Sequence, residues 1–142
     1  MIDLVQYREY WERMAHRVAG ITDVIPVTVD DAMAKSIQRL PIGSMTLFFL
    51  PPAAESSGRN IDSFREDNEC VVFVMEKYDP QRKSAWSALE SSQPVIEGVK
   101  RQLLEMRPCA PVTFDVSTIT TLPETKFFAG FAGWSIGFKL KT

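Results

Sequence analysis

Apolar residues near the start of the chain recur at intervals of three and four: Leu4, Tyr7, Trp11, Met14 and Val18. That spacing puts them on one face of a helix over residues 3–19. Arg8, Glu9, Glu12, Arg13 and Arg17 fall elsewhere and face water. Asp3 suits the helix start, and Gly20 suits a left-handed stop. From Glu69 to Lys77 the period drops to two, with Cys70, Val72 and Val74 alternating with Val71, Phe73 and Met75. Both sets are apolar, which predicts a central strand covered on both faces. Residues 112–119 alternate Val112, Phe114 and Val116 with Thr113, Asp115 and Ser117. A last strand over 130–140 turns Ala132, Trp134, Ile136, Phe138 and Leu140 to the core. Gly133, Ser135, Gly137 and Lys139 fall on its other face, where glycines let another backbone come close.

The remaining segments read by their punctuation. Residues 24–29 look extended, and Pro26 confines any strand there to a sheet edge. Asp30 or Asp31 caps a short helix through Leu40, with Met33, Ile37 and Leu40 on one side, and Pro41 and Gly43 mark its exit. Met45 to Leu50 is a strand stopped by Pro51-Pro52. Residues 53–67 are small and polar and read as a long exposed loop, the kind of segment that often carries function. Residues 81–106 are helical with an interruption at Pro94; Trp86 and Leu89 lie on the first piece, and Ile96, Val99, Leu103 and Met106 on the second. A second helix capped by Ser92 and a single kinked helix both fit. Pro108 and Pro111 close the segment. This order predicts one α+β domain over residues 1–142. An antiparallel or mixed sheet of about four main strands packs on the N-terminal amphipathic helix and on a central helix interrupted near Pro94.

Composition narrows the function more by exclusion than by signal. A net charge of −2, with no basic stretch denser than Gln81-Arg82-Lys83, argues against direct nucleic-acid binding. No run of apolar residues is long enough for a membrane helix, and the start of the chain lacks a signal-peptide layout; both point to the cytoplasm. Cys70, in an apolar run, reads as a buried thiol, with a bridge to Cys109 as the alternative. His16, the only histidine, lies off the apolar stripe and reads as solvated. Asp62, Glu66, Asp67 and Glu69 cluster, but Arg59 and Arg65 are interleaved and the spacing fits no calcium loop. No phosphate-binding loop, nucleophile elbow or dinucleotide fingerprint is present. We therefore expect no catalytic, cofactor-binding or metal-binding residues. Phe127 and Phe128 are adjacent, so in a strand they point opposite ways; core packing is the first reading, and exposure of one of them, or its place in a subunit interface, the alternative.

The whole-chain layout resembles small tail-completion or tail-terminator proteins of tailed phages and prophages, especially Bacteroides-type prophage proteins. The features that carry the resemblance are the helix Leu4 to Val18, the strands Met45–Leu50 and Glu69–Lys77 joined across a long loop, the helix Gln81–Met106, and the closing run Gly133-Trp134-Ser135-Ile136-Gly137-Phe138-Lys139-Leu140. Val24 to Leu40 has no counterpart in it. The resemblance implies a non-enzymatic structural protein that joins a ring-like homo-oligomer at the end of the tail tube and meets tail-tube or connector proteins. The loop 53–67 and the polar face of the last strand are then the candidate contacts. The alternatives are a small intracellular protein- or ligand-binding domain, or an enzyme using carboxylates such as Asp62 and Glu66 in a cleft.

Overall fold

The structure is a computed structural model that describes residues 1–105, 112–126 and 128–142. In chain order its elements are α1 (Leu4–Arg17), β1 (Asp23–Pro26), α2 (Asp31–Arg39), β2 (Met45–Phe49), β3 (Ala53–Ser57), β4 (Arg65–Lys77), α3 (Ala85–Glu105), β5 (Thr113–Glu124) and β6 (Phe131–Lys141), with a 3-10 turn over Ile61–Ser63. The architecture is α+β, with six strands rather than about four. The sheet runs β1-β2-β4-β6-β5, and β3 pairs with the first part of β4 beyond the end of β2. Only the β1–β2 pair is parallel. The expectations on Met106, Pro108, Cys109, Pro111 and Phe127 fall outside the described residues.

β4 is central, as its doubly apolar pattern requires. Cys70, Val72 and Val74 join one core cluster, and Phe73 and Met75 join another on the opposite face. The first core is closed by α1 and α3. From α1 it receives Tyr7, Tyr10, Trp11 and Met14; from α3, Val95, Ile96, Val99 and Leu103. Trp11 is fully buried, 5.9 Å from the Tyr7 ring and 5.0 Å from that of Tyr10 in edge-on contacts, and 6.5 Å from Phe49 in a stack. Such aromatic pairs each add roughly 0.5–1.5 kcal/mol beyond their burial. α1 is shorter than its pattern suggested. Asp3 does cap it, accepting from the Gln6 N–H at 2.9 Å, but Val18 rather than Gly20 ends it. Leu4 is exposed, and Tyr10 takes the buried place instead. Ile2, just before the helix, is buried in the same core, and Tyr10 lies beside Trp11.

The second core is smaller. Met33 of α2 packs there with Val27, Leu40, Phe48, Phe73, Met75 and Phe131, and Ile37 and Phe128 flank it. Asp30 caps α2, accepting from the Met33 N–H at 2.8 Å. β1 is an edge strand, the place where Pro26 needs no donor.

α3 is one continuous helix with Pro94 inside it. Its start is Ala85, not residue 81, because Asp79 organises a turn by accepting from Gln81 N–H at 3.0 Å. Pro94 has no N–H to give the Glu90 carbonyl, and it lies on the exposed side of the helix, where its ring meets no core side chain. Ser92 does not cap a second helix; its hydroxyl donates back to the Ala88 carbonyl at 2.7 Å. Trp86 faces water and donates to Glu90 at 2.6 Å rather than entering the core.

The two glycines on the face of β6 opposite Ile136 have different surroundings. A Cβ on Gly133 would lie 2.0 Å from the Val74 carbonyl oxygen, so β4 and β6 approach there only because it is glycine. Nothing lies within 4 Å of a Cβ on Gly137. Gly133→Ala is expected to destabilise the chain by at least about 1–3 kcal/mol, and Gly137→Ala to leave it unchanged or slightly raised. Paired urea melts compare them directly; equal midpoints would mean that the β4–β6 approach is not tight.

Candidate functional site

Residues 53–67 are not a loop. Ala53–Ser57 form β3, in antiparallel register with Arg65–Glu69 of β4 from Ala53↔Glu69 to Ser57↔Arg65. Together with the turn between them they make a hairpin arm that extends the sheet past the end of β2. The pattern hid the strand because all five β3 residues are exposed and carry no alternation. The backbone pairing, not burial, holds it extended. The turn is closed by its own polar groups. Asn60 accepts from Ser63 N–H at 3.0 Å, and the Ser63 hydroxyl accepts from the N–H groups of Arg59 and Asn60 at 3.1 and 3.2 Å. Gly58 has φ +140°, and a Cβ there would meet the Ser63 carbonyl at 2.5 Å. Two large apolar side chains stand at this tip in water: Ile61 is 90% exposed and Phe64 58% exposed.

The four clustered carboxylates do not converge. Asp62 sits in the exposed turn, and Glu66 pairs with the N-terminal ammonium of Met1. Asp67 lies opposite Lys141 in the β4–β6 register, and Glu69 pairs with Lys139 at 3.0 Å. Glu69 holds the Lys139 ammonium above its ordinary pKa, through its hydrogen bond first and its charge second. Among the described residues no group of three or more His, Cys, Asp or Glu side chains could hold a metal ion. His16 lies on the exposed face of α1 beside Glu9, Glu12 and Arg13. Cys70 is buried in the first core, its Sγ 3.7 Å from the Asn68 carbonyl that accepts from it.

The polar face of β6 divides in two. Gly133 and Ser135 are buried, and Ser135 donates to Glu124 at 2.9 Å. Gly137 and Lys139 are half-exposed and line a shallow hollow with Glu69, Val71 and Thr118. Only this lower half remains available for contact.

A second hollow, missed by the sequence reading, lies at the start of α2. Met33, Ala34, Ile37 and Phe128 form its floor. Its rim contains the one described non-glycine residue with positive φ, Val29, at φ 56° and 88% exposed. A β-branched residue in the left-handed region is strained by about 1–2 kcal/mol. The turn is held in place by Met33, whose sulfur accepts from the Thr28 and Val29 N–H groups at 3.4 and 3.3 Å, and by the Asp30 cap. Burial does little to offset that strain, because the Val29 side chain is 88% exposed. The sequence marked α2 and its cap but carried no sign of the left-handed residue.

The chain matches no protein-family model and no curated protein. Among the described residues no helix is long and apolar enough to cross a membrane.

Two measurements probe the α2 turn. Val29→Gly is expected to raise stability by up to about 1 kcal/mol, since glycine adopts positive φ without strain; a lower midpoint would show that the valine side chain makes a stabilising contact. The Asp30 carboxyl is held below its ordinary value of 3.8, chiefly by the Met33 N–H and then by the Thr28 side chain. A depressed carboxylate pKa stabilises the fold above the unfolded value, and that contribution disappears as pH falls through the folded one. Asp30→Ala should therefore lower the melting midpoint at neutral pH, with the difference closing as the solution is acidified below about pH 4. A difference that persists at pH 2 would place the effect in packing instead.

Proposed function

We propose that this is a non-enzymatic structural protein of a phage or prophage tail, acting in tail completion or head–tail joining through contacts between copies. The observation that carries the reading is the β3–β4 arm. It contributes no side chain to either core cluster, yet its turn is closed by its own hydrogen bonds and displays Ile61 and Phe64 in water. Apolar side chains held out on an extension gain free energy only when another surface covers them. The sheet also offers unlike open edges, with β1 and β3 on one side and β5 on the other. Unlike surfaces on one chain suit the head-to-tail contacts from which rings are closed. On this reading the partners are further copies of the chain and tail-tube or connector proteins, and the protein works in the bacterial cytoplasm before it becomes part of the virion.

The second reading, a small protein- or ligand-binding domain unrelated to phages, draws on the hollow at α2. About 290 Å³ lies at the lower limit of small-molecule sites, roughly 300–1,000 Å³. Its size therefore favours a side chain of a protein partner over a separate ligand.

Light scattering of the full chain over a wide concentration range is expected to show a discrete ring-sized oligomer, and a monomer throughout would remove ring closure as a property of the chain itself. Deleting residues 54–66 is expected to keep the circular dichroism and cooperative melt of the intact chain while abolishing assembly. An unfolded deletion variant would make the arm part of the fold rather than an attachment device.

A further inference from the structure

We infer that the tip of the β3–β4 arm of one copy seats in the α2 hollow of the next. Ile61 and Phe64 meet the apolar floor, and Arg59 and Arg65 lie against Asp30 and Asp31. The inference rests on the reading of the chain as a self-assembling protein and names the contact that would assemble it.

Three observations fit the tip to the hollow. The first is chemical. The tip shows two apolar side chains flanked by two arginines and one aspartate, Asp62, all exposed. The hollow shows an apolar floor with two adjacent exposed carboxylates at its rim. Apolar meets apolar and the flanking charges are opposite, the arrangement that fixes partner and register.

The second is preorganisation. The tip is locked by the Asn60–Ser63 hydrogen bonds, and the hollow by the Asp30 cap and the Met33 sulfur contacts. Neither backbone turn has to be ordered on contact, so the entropy lost is that of the exposed side chains alone.

The third is reach. The start of α2 lies on the sheet near the β2 end of β4, where Leu50 N–H donates to the Val71 carbonyl and Val27 N–H to that of Phe49. The strand from Val71 to Arg65 is extended, which puts the tip roughly 20 Å away at about 3.3 Å per residue. An arm fixed in the sheet cannot fold back over that distance, so the tip is directed away from its own hollow. An arm that fills the hollow therefore belongs to another copy. Because tip and hollow are different surfaces, each copy gives one and receives one, and the contact propagates head to tail.

The test uses full-length chains altered at exposed positions only. A tip variant carries Ile61→Ser and Phe64→Ser. A hollow variant carries Ala34→Arg, and Asp31→Arg serves as a second one. Light scattering is expected to show self-association weakened at least tenfold in each, with a cooperative melt retained and lowered only in Asp31→Arg, where a cation meets the start of α2. Mixed in equal amounts, the tip variant still offers an intact hollow and the hollow variant an intact tip. The mixture should therefore form a one-to-one dimer and go no further. If the variants assemble like the unaltered chain, the arm-in-hollow contact is wrong while the structural role stands on another interface. Variants that stay monomeric and fail to pair on mixing would also overturn it. An unaltered chain that is monomeric at every concentration overturns both the contact and the self-assembling reading beneath it.

Discussion

A strand with apolar side chains on both faces must be screened from water twice, and β4 places that demand on the rest of the chain. Val72 and Val74 have to be covered from one side, Phe73 and Met75 from the other. The two faces are covered by different elements. The longer, more apolar face takes α1 and α3, with Trp11 as the largest side chain at their junction. The shorter face takes α2 and the turn before β6. The sheet order follows, because β4 also needs hydrogen-bonding partners along both edges, and β2 and β6 provide them.

The arm arises from a mismatch of length. β4 runs from Arg65 to Lys77, whereas β2 covers only Val72 to Glu76 of it. Pro51-Pro52 ends β2 and leaves the first part of β4 with an open edge. The chain then returns as β3 and pairs with that edge. Nothing covers β3 in turn, so its residues are small or polar: Ala53, Ala54, Glu55, Ser56 and Ser57. A polar, short outer strand with a carboxylate resists indiscriminate edge pairing. What the arm presents for contact is its tip, where apolar side chains are concentrated.

The second face of the sheet shows a similar economy. α2 covers only part of it, and its entry turn is forced into a left-handed residue at Val29. The Asp30 cap and the Met33 sulfur hold that turn against the strain. The cost is local, and it leaves an apolar floor open beside two carboxylates. Thus the same shortage of covering elements that leaves the arm projecting also leaves a hollow at α2.

Periodicity was legible wherever burial imposed it. The amphipathic face of α1, the double apolar alternation of β4, the Met33 side of α2 and the core face of β6 all follow from which residues must leave water, and that is a property of the sequence itself. The edge position of β1 was legible for a related reason, since proline has no donor to give a neighbour. Segments held by backbone pairing alone were not legible. β3 has no apolar face, so its strand form exists only because β4 offers unpaired carbonyl and N–H groups alongside it. The continuity of α3 through Pro94 goes with the packing of Val95, Ile96, Val99 and Leu103 beyond it, and the left-handed Val29 with the path between β1 and α2. The separation of the four carboxylates was set by register, which sends Glu66 to the N-terminus and Glu69 to Lys139. Sequence alone determined the apolar faces of α1, β4 and β6; tertiary structure decided which backbone edges met and which apolar groups, among them Leu4, Trp86 and Val116, were left uncovered. Hydrogen-bond partners and covering surfaces come from distant parts of the chain, and no local pattern records them.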